Sequence, residues 1–326
     1  MPTPINRADD NPDARWRWSL LAPQYWPTWI ALGLFRLIEP LPYPLLMALG
    51  RAIGTAVRRM PTHFVRVARA NLALCMPALS PPEREQILNR HFASLGMGLI
   101  ETAIAWWSSD KRIRNLTRLE GLEHLQRVQS DGRGALLLSA HFNTLDIGVR
   151  ALCLHQLPNI MYRPPSNRVM GFFLARNRAA HTKRAIRRDD IRTLIAALKN
   201  KEAVWYAPDQ AYRKKGAQMV PFFGIPCATN TATSRLAKMT GATVLPFFSE
   251  RLPNNGGYKT TILSPLDHFP SDDPVADAER YHRAIEEQIR KVPEQYLWIH
   301  RRFKGLSEEY PDYYRRDTGR ETADKD

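Results

Sequence analysis

The pattern of hydrophobic and polar positions changes near residue 134. Between 61 and 107, apolar residues recur at helical spacing. The segment SPPE at 80–83 is typical of a helix start, because proline suits the first turn and glutamate favours its positive end. Beyond 134, short apolar runs alternate with helix-like segments. The runs predicted as strands are 134–140, 159–162, 203–207, 219–223, 242–248 and 258–263, and the segments predicted as helices are 144–156, 166–180, 189–201, 228–240 and 273–291. This alternation predicts an α/β fold, a mostly buried mixed sheet flanked by helices.

The segment near the start of the chain has a different character. Residues 18–35 carry no charge, and a second apolar stretch follows at 40–50. Trp16, Trp18, Trp26 and Trp29 cluster there with Tyr25, as aromatic residues do at a membrane interface. We therefore expect a membrane-associated helix that begins near Pro27. A core helix is the alternative, and the pattern leaves open whether the helix spans the bilayer or lies on its surface.

These patterns divide the chain into four segments. Residues 1–17 form a polar N-terminal tail, and 18–58 form the hydrophobic membrane-anchor segment. Residues 59–304 hold the main domain, which begins with a helical segment, and 305–326 form a polar C-terminal tail.

Charge adds an expectation about partners. The chain has 326 residues, with 47 Lys and Arg against 32 Asp and Glu, a formal net charge of +15. Such an excess favours an anionic partner, which could be a nucleic acid, an anionic membrane surface, an acidic protein or an acidic substrate. The excess is concentrated between 150 and 215, where 15 basic residues face only four acidic ones.

Cysteine usage indicates a reducing compartment. Cys75, Cys153 and Cys227 are odd in number and far apart, and no Cys/His cluster has metal-ligand spacing. We therefore expect neither a disulfide framework nor a bound metal.

Three histidines have an acidic residue five positions later: His141/Asp146, His268/Asp273 and His282/Glu287. The third pair lies in a predicted helix, where five residues turn the side chains about 140° apart. The second lies in a loop rich in proline, aspartate and serine, where solvated side chains are the simpler interpretation.

The pair His141/Asp146 lies where a buried strand passes into a helix, in the stretch GALLLSAHFNTLDIG at 134–148. In α/β sheets, ligands bind outside the carboxyl ends of the strands. A carboxylate folded back onto one ring nitrogen would fix the tautomer and leave the other nitrogen free to act as a general base. A buried histidine that merely satisfies a local carboxylate is the alternative.

Five segments in order resemble a known family: AHFNTLD, MYRP (161–164), WYAPDQ (205–210), VPFFG (220–224) and PEQYLWIHRRFK (293–304). Together they are similar to the late lauroyl and myristoyl acyltransferases of lipid A biosynthesis, within the glycerolipid acyltransferase superfamily. The resemblance extends over almost the whole chain, from YWPTW near its start. By contrast, a histidine followed five positions later by an acid is a weak signal on its own.

The resemblance implies an enzyme on the cytoplasmic face of the inner membrane of a Gram-negative bacterium. It implies transfer of a fatty acyl chain from acyl carrier protein to a hydroxyl of an acyl chain on a lipid A precursor. No cofactor is expected beyond the phosphopantetheine arm of the donor. His141 would be the general base and Asp146 its partner, with Arg163, Asp209 and Arg188 as substrate-binding residues.

Other interpretations remain at this point. From the residues alone, Asp209 could simply begin a turn and Arg163 could be a solvated charge. The exposed-looking run Arg213, Lys214 and Lys215 could meet headgroup phosphates. The acceptor could be another membrane lipid. A nucleic-acid-binding protein would explain the charge but not the tryptophan-rich segment, so we expect no nucleic-acid partner. A membrane scaffold would leave His141 and Asp146 without a role.

Overall fold

The structure is a computed structural model, and it describes residues 11–314. The predicted tails at 1–17 and 305–326 therefore lie partly outside the described residues. The helices are α1 (Trp26–Ile38), α2 (Tyr43–Arg59), α3 (His63–Cys75), α4 (Pro81–Trp107), α5 (Asp110–Leu116), α6 (Leu122–Ser130), α7 (Leu145–Cys153), α8 (Arg168–His181), α9 (Ile191–Lys199), α10 (Ala232–Thr240) and α11 (Pro274–Lys291). The strands are β1 (Thr117–Glu120), β2 (Ala135–Leu138), β3 (Asn159–Tyr162), β4 (Arg184–Arg187), β5 (Ala203–Tyr206), β6 (Ala217–Phe222), β7 (Ile225–Asn230), β8 (Thr243–Arg251) and β9 (Tyr258–Ile262).

Seven strands form one sheet in the order β1-β9-β8-β2-β5-β3-β4. All neighbouring pairs are parallel except β8 and β9, which are antiparallel. Helices flank this sheet, so the predicted α/β fold with a mixed, mostly buried sheet is confirmed. The central strands β2 and β5 are buried at every position, which explains why their sequences are continuous apolar runs.

Three strands were not predicted. β1 and β4 lie at the two edges of the sheet, and their sequences TRLE and RAIR contain charged residues that half-exposed edge positions tolerate. The end of β7 takes up residues 228–230 of the segment predicted as a helix from 228 to 240, and the helix α10 begins only at Ala232. β7 pairs with β6 as a separate antiparallel hairpin.

The long helix α4 supports the sheet and joins it to the N-terminal helices. It begins where the SPPE segment predicted, because Glu83 accepts a 2.7 Å hydrogen bond from the main-chain amide of Ser80. α2 crosses it at very short range. A side chain at Gly54 would lie 1.9 Å from the carbonyl oxygen of Phe92, so this crossing requires glycine.

The tryptophan-rich N-terminal segment packs against the rest of the protein on one side. Trp29 lies with its ring centre 5.4 Å from that of Phe173 in α8, and Leu32 is buried. The opposite side of α1 exposes Trp26, Ile30, Leu34 and Leu37, each between 55 and 75% accessible. Across residues 11–314, no helix has both the length and the apolar character needed to cross a bilayer.

Candidate active site

The candidate site lies at the carboxyl ends of the two central strands. Leu138, the last residue of β2, is paired with Tyr206, the last residue of β5. His141 follows the first strand by three residues, and Asp209 follows the second by three residues. The main-chain amide of Ser139 donates a 2.8 Å hydrogen bond to the carbonyl of Tyr206, which keeps the two chain segments together beyond the strands. Parallel pairing therefore brings both side chains to the same end of the sheet, where the carboxyl ends of β2 and β5 lie.

His141 and Asp209 form a tight pair. Nδ1 of His141 lies 2.6 Å from Oδ1 of Asp209, and the main-chain amide of His141 donates to Oδ2 at 3.0 Å. Because an ionised carboxylate can only accept, Nδ1 carries the proton, and in the neutral imidazole the lone pair of Nε2 is free. The side chain of His141 is 31% exposed while that of Asp209 is 2% exposed. Among the described residues, Nε2 makes no hydrogen bond, so it can reach a bound molecule.

Electrostatics shift the pKa values of both members of the pair. Burial alone would lower the pKa of His141, but the Asp209 carboxylate outweighs it, and the pKa lies above its ordinary value. Burial alone would raise the pKa of Asp209, but the attraction and hydrogen bonds of His141 lower it to about 2. Asp209 is therefore an anion at neutral pH, and the imidazole is a stronger base than a free histidine.

This geometry corrects the predicted partner of the imidazole. From the sequence we expected the carboxylate of Asp146 to contact the ring nitrogen of His141. In the structure, the carboxylate of Asp209 makes this contact. Asp146 lies in the first turn of α7, where it accepts a 3.3 Å hydrogen bond from Thr102 and lies 3.5 Å from a guanidinium nitrogen of Arg178. The helix turns its side chain towards α4 and α8 instead of back to the strand end.

The two predicted arginines lie further along the sheet. Arg163 follows β3, which is the parallel neighbour of β5, so it lies at the same carboxyl-terminal end of the sheet as His141. Its side chain is exposed. Arg188 follows the edge strand β4, and its main-chain amide donates to the carbonyl of Tyr162 at 2.8 Å. Within residues 11–314, neither side chain forms an ion pair. The structure brings Asp209 to His141, while Arg163 and Arg188 follow the more distant strands β3 and β4.

Comparison with known proteins gives this geometry a context. Residues 14–305 match the model of the family described as bacterial lipid A biosynthesis acyltransferase. The chain is 38% identical to the lipid A biosynthesis lauroyltransferase of Escherichia coli, covering 91% of this chain and 97% of that protein. It is 40% identical to the palmitoleoyltransferase of lipid A biosynthesis from the same organism, covering 90% and 96% of the two chains.

The chain belongs to the bacterial lipid A biosynthesis acyltransferase family. A lipid A biosynthesis acyltransferase of Haemophilus influenzae is also similar, at 37% identity over 89% of this chain and 94% of that protein. The family predicted from the five segments is confirmed. Acyl transfer in lipid A biosynthesis is the activity that this membership assigns to the chain.

The segment 295–302 of this acyltransferase fixes the two partners of the pair. The main-chain amide of Leu297 donates to the carbonyl of His141 at 2.9 Å. On the other side, the amide of Ala211 donates to Nε2 of His300 at 3.1 Å, which holds the loop that carries Asp209. Burial lowers the pKa of His300 to about 4, so its ring is neutral and can accept that bond.

Sequence reasoning did not single out several residues of this acyltransferase. Arg178 lies in the last turn of α8, where its charge resembles that of neighbouring arginines in the sequence, and only the fold brings it close to Asp146. Its guanidinium also lies 5.7 Å from the ring centre of Tyr162. His300 lies within a segment that carried the resemblance, but no spacing rule connects it to Asp209.

Proposed function

We propose that this acyltransferase moves a fatty acyl chain from acyl carrier protein to a hydroxyl of an acyl chain on a lipid A precursor. The observation that carries the proposal is the 2.6 Å contact between Nδ1 of His141 and buried Asp209, which makes Nε2 the free basic nitrogen of the neutral imidazole. Such an imidazole can remove a proton from a hydroxyl without forming a covalent intermediate.

In the proposed reaction, Nε2 of His141 removes the proton from the acceptor hydroxyl while the oxygen attacks the carbonyl carbon of the donor thioester. The tetrahedral intermediate carries a negative charge on the former carbonyl oxygen. A positively charged side chain at the carboxyl ends of the strands would stabilise that charge, and we propose Arg163, which follows β3, for this role. When the carbon–sulfur bond breaks, the proton on His141 passes to the departing thiolate.

The remaining partners follow from charge and exposed surface. Acyl carrier protein is acidic and lipid A precursors carry phosphates, which suits the basic stretch 150–215 and its exposed residues Arg213, Lys214 and Lys215. We propose no cofactor beyond the donor's phosphopantetheine and no nucleic-acid partner. Arg188, at the edge strand, would bind a phosphate of one of the two substrates.

We also propose that the enzyme works at the inner membrane of a Gram-negative bacterium, on the cytoplasmic face. α1 packs one side on the protein and exposes Trp26, Ile30, Leu34 and Leu37 on the other. Leu41, Leu45 and Leu49 extend the exposed apolar surface towards and along α2. A helix with this arrangement would lie along the membrane surface and insert its exposed face into the leaflet.

The central experiment compares wild type with His141→Ala. The purified protein in detergent receives acyl-acyl carrier protein and a lipid A precursor, and acyl transfer is measured. We expect the variant to lose nearly all transfer while its membrane association is unchanged. Transfer at the wild-type rate would exclude His141 as the base. Transfer only to a phospholipid acceptor would redirect the proposal to another membrane lipid.

A further inference from the structure

Arg302 is a buried cation near the candidate site. It is 2% exposed, and its guanidinium donates to the carbonyl of Ala228 and to Oγ1 of Thr229, each at 2.9 Å. Among residues 11–314, no carboxylate lies within ion-pair distance of it. Burying a charge is costly unless an opposite charge compensates it, so a buried arginine without a contacting carboxylate is unusual.

His282 completes the surroundings of this guanidinium. Its Nδ1 lies 2.7 Å from the carbonyl of Pro221 and therefore donates, so Nε2 accepts from Arg302 at 3.1 Å. Burial and the positive charge of Arg302 lower the pKa of His282 to about 3. His282 is therefore neutral and orients Arg302 without adding a second charge.

The nearby titratable groups are almost all neutral at pH 7. Burial raises the pKa values of the cysteines and tyrosines around Arg302 and Asp209, which are Cys75, Cys227, Tyr206, Tyr281, Tyr296 and Tyr314. His300 is neutral for the reason given above. Three other charged groups lie nearby. Lys304 is close to His300, and Glu286 pairs with Arg290. Arg178 pairs with Asp146, and its charge also acts to lower the pKa of His141, so it acts in the same direction as Arg302.

This leaves Arg302 and Asp209 as buried opposite charges that are not in contact. Besides burial, which raises the pKa of Asp209, and His141, which lowers it most, the charge of Arg302 contributes to lowering it. The two residues are also joined through the main chain, because the amide of Tyr212 donates to the same Ala228 carbonyl that accepts from Arg302.

We propose that Arg302 is a positioning residue that favours the deprotonated, active state of the His141–Asp209 pair. The inference rests on the proposed role of His141 as the base. In the deprotonated state, the pair consists of a neutral imidazole and a carboxylate, and its net charge is −1. After taking a proton, it has an imidazolium and a carboxylate, a net charge of zero. A fixed positive charge stabilises the deprotonated state more than the protonated one. Arg302 therefore opposes the effect of Asp209, which raises the pKa of His141.

The test measures kcat/KM for acyl transfer against pH in wild type, Arg302→Gln and Arg302→Lys. Arg301→Gln is the matched control, because Arg301 is adjacent, exposed and stacked on Tyr314 at 5.8 Å. We expect Arg302→Gln to move the acid limb of the profile to higher pH, by about 0.5 to 1 pH unit. Arg302→Lys keeps the charge and should leave the limb near its wild-type position, even if fewer hydrogen bonds lower the rate. Arg301→Gln should leave the limb unmoved.

A second measurement does not depend on activity. The ring resonance of His141, assigned by its loss in His141→Gln, is titrated by NMR in protein with labelled histidine. Its midpoint should rise in Arg302→Gln and not in Arg302→Lys. An unmoved midpoint in Arg302→Gln would overturn the inference while leaving His141 as the base. If Arg302→Gln does not fold, Arg302→Lys decides, with Arg301→Gln as its control. Because lysine keeps the positive charge, an acid limb that moves by about 0.5 pH unit in Arg302→Lys would overturn the proposed effect of that charge.

Discussion

The carboxylate of Asp209 accepts hydrogen bonds from both the ring Nδ1 and the main-chain amide of His141, at 2.6 and 3.0 Å. Two contacts to one residue fix the direction of the carboxylate and of the imidazole together. Asp146, five residues after His141, contacts Thr102 and Arg178 instead. The two acids are therefore expected to differ in what they do for the base.

Substituting each acid by its amide should separate their roles. Asp209→Asn removes the charge that raises the pKa of His141, so the acid limb of the pH profile should move to lower pH. The rate should fall by roughly 10²- to 10⁴-fold, because the amide can favour the wrong tautomer. Asp146→Asn should lower the rate with little movement of the limb. Kinetics of acyl transfer from pH 5 to 9 check both. A limb that moves in Asp146→Asn alone would assign the base's partner to Asp146.

The wild-type enzyme should gain activity as pH rises through the pKa of His141. Because Asp209 raises that pKa above the ordinary value of 6.5, we expect the midpoint of the rise in kcat/KM to lie above pH 6.5. Below the midpoint His141 is protonated and cannot accept the hydroxyl proton. Buffers of constant ionic strength are needed for the measurement, and a midpoint below pH 6 would contradict this assignment.

Replacing Arg213, Lys214 and Lys215 by glutamine should weaken substrate binding more than it slows chemistry. The three side chains are exposed in the loop after Asp209, so they can meet a phosphate or an acidic protein surface without contacting the pair. We expect KM for donor or acceptor to rise several-fold while kcat changes less. The control replaces Lys111, Arg114 and Arg118, which are exposed on α5 and β1 and carry the same charge. Equal KM values in both triple variants would contradict the role of this loop.

Charged substitutions on the exposed face of α1 should weaken membrane attachment. Ile30→Glu combined with Leu34→Glu places two carboxylates where the apolar face would meet lipid, and carboxylates are disfavoured there. We expect the fraction that sediments with anionic phospholipid vesicles to fall markedly, with thermal unfolding nearly unchanged. Met239→Glu on α10 is the control, since Met239 is 58% exposed in another part of the fold. Undiminished sedimentation of the double variant would exclude α1 as the attachment face.

Local sequence predicted many of the elements because their causes are local. The run ALLL forms the buried strand β2, and the turn after it leads into α7, as apolar pattern and turn residues indicate. The hairpin of β6 and β7 was missed for an equally physical reason. Its two-residue turn is Phe223–Gly224, with φ values of 51° and 76°, where Asn–Gly is the usual signal. The amide of Phe223 donates to Glu286 at 2.6 Å, a tertiary contact that no local pattern reveals.

The sequence by itself determined the family, the α/β class, the exit of β2 at His141, and Asp209 as a second residue at the end of a strand. Only the tertiary structure decided that these two residues pair, because the adjacency and register of β2 and β5 depend on the order of strands in the sheet. Periodicity reports which face of an element is buried, but it does not report which element lies beside it. The same limit applies to Arg178 and Arg302, whose charges look ordinary in sequence. The fold buries Arg302 near Asp209 and aims Arg178 at Asp146.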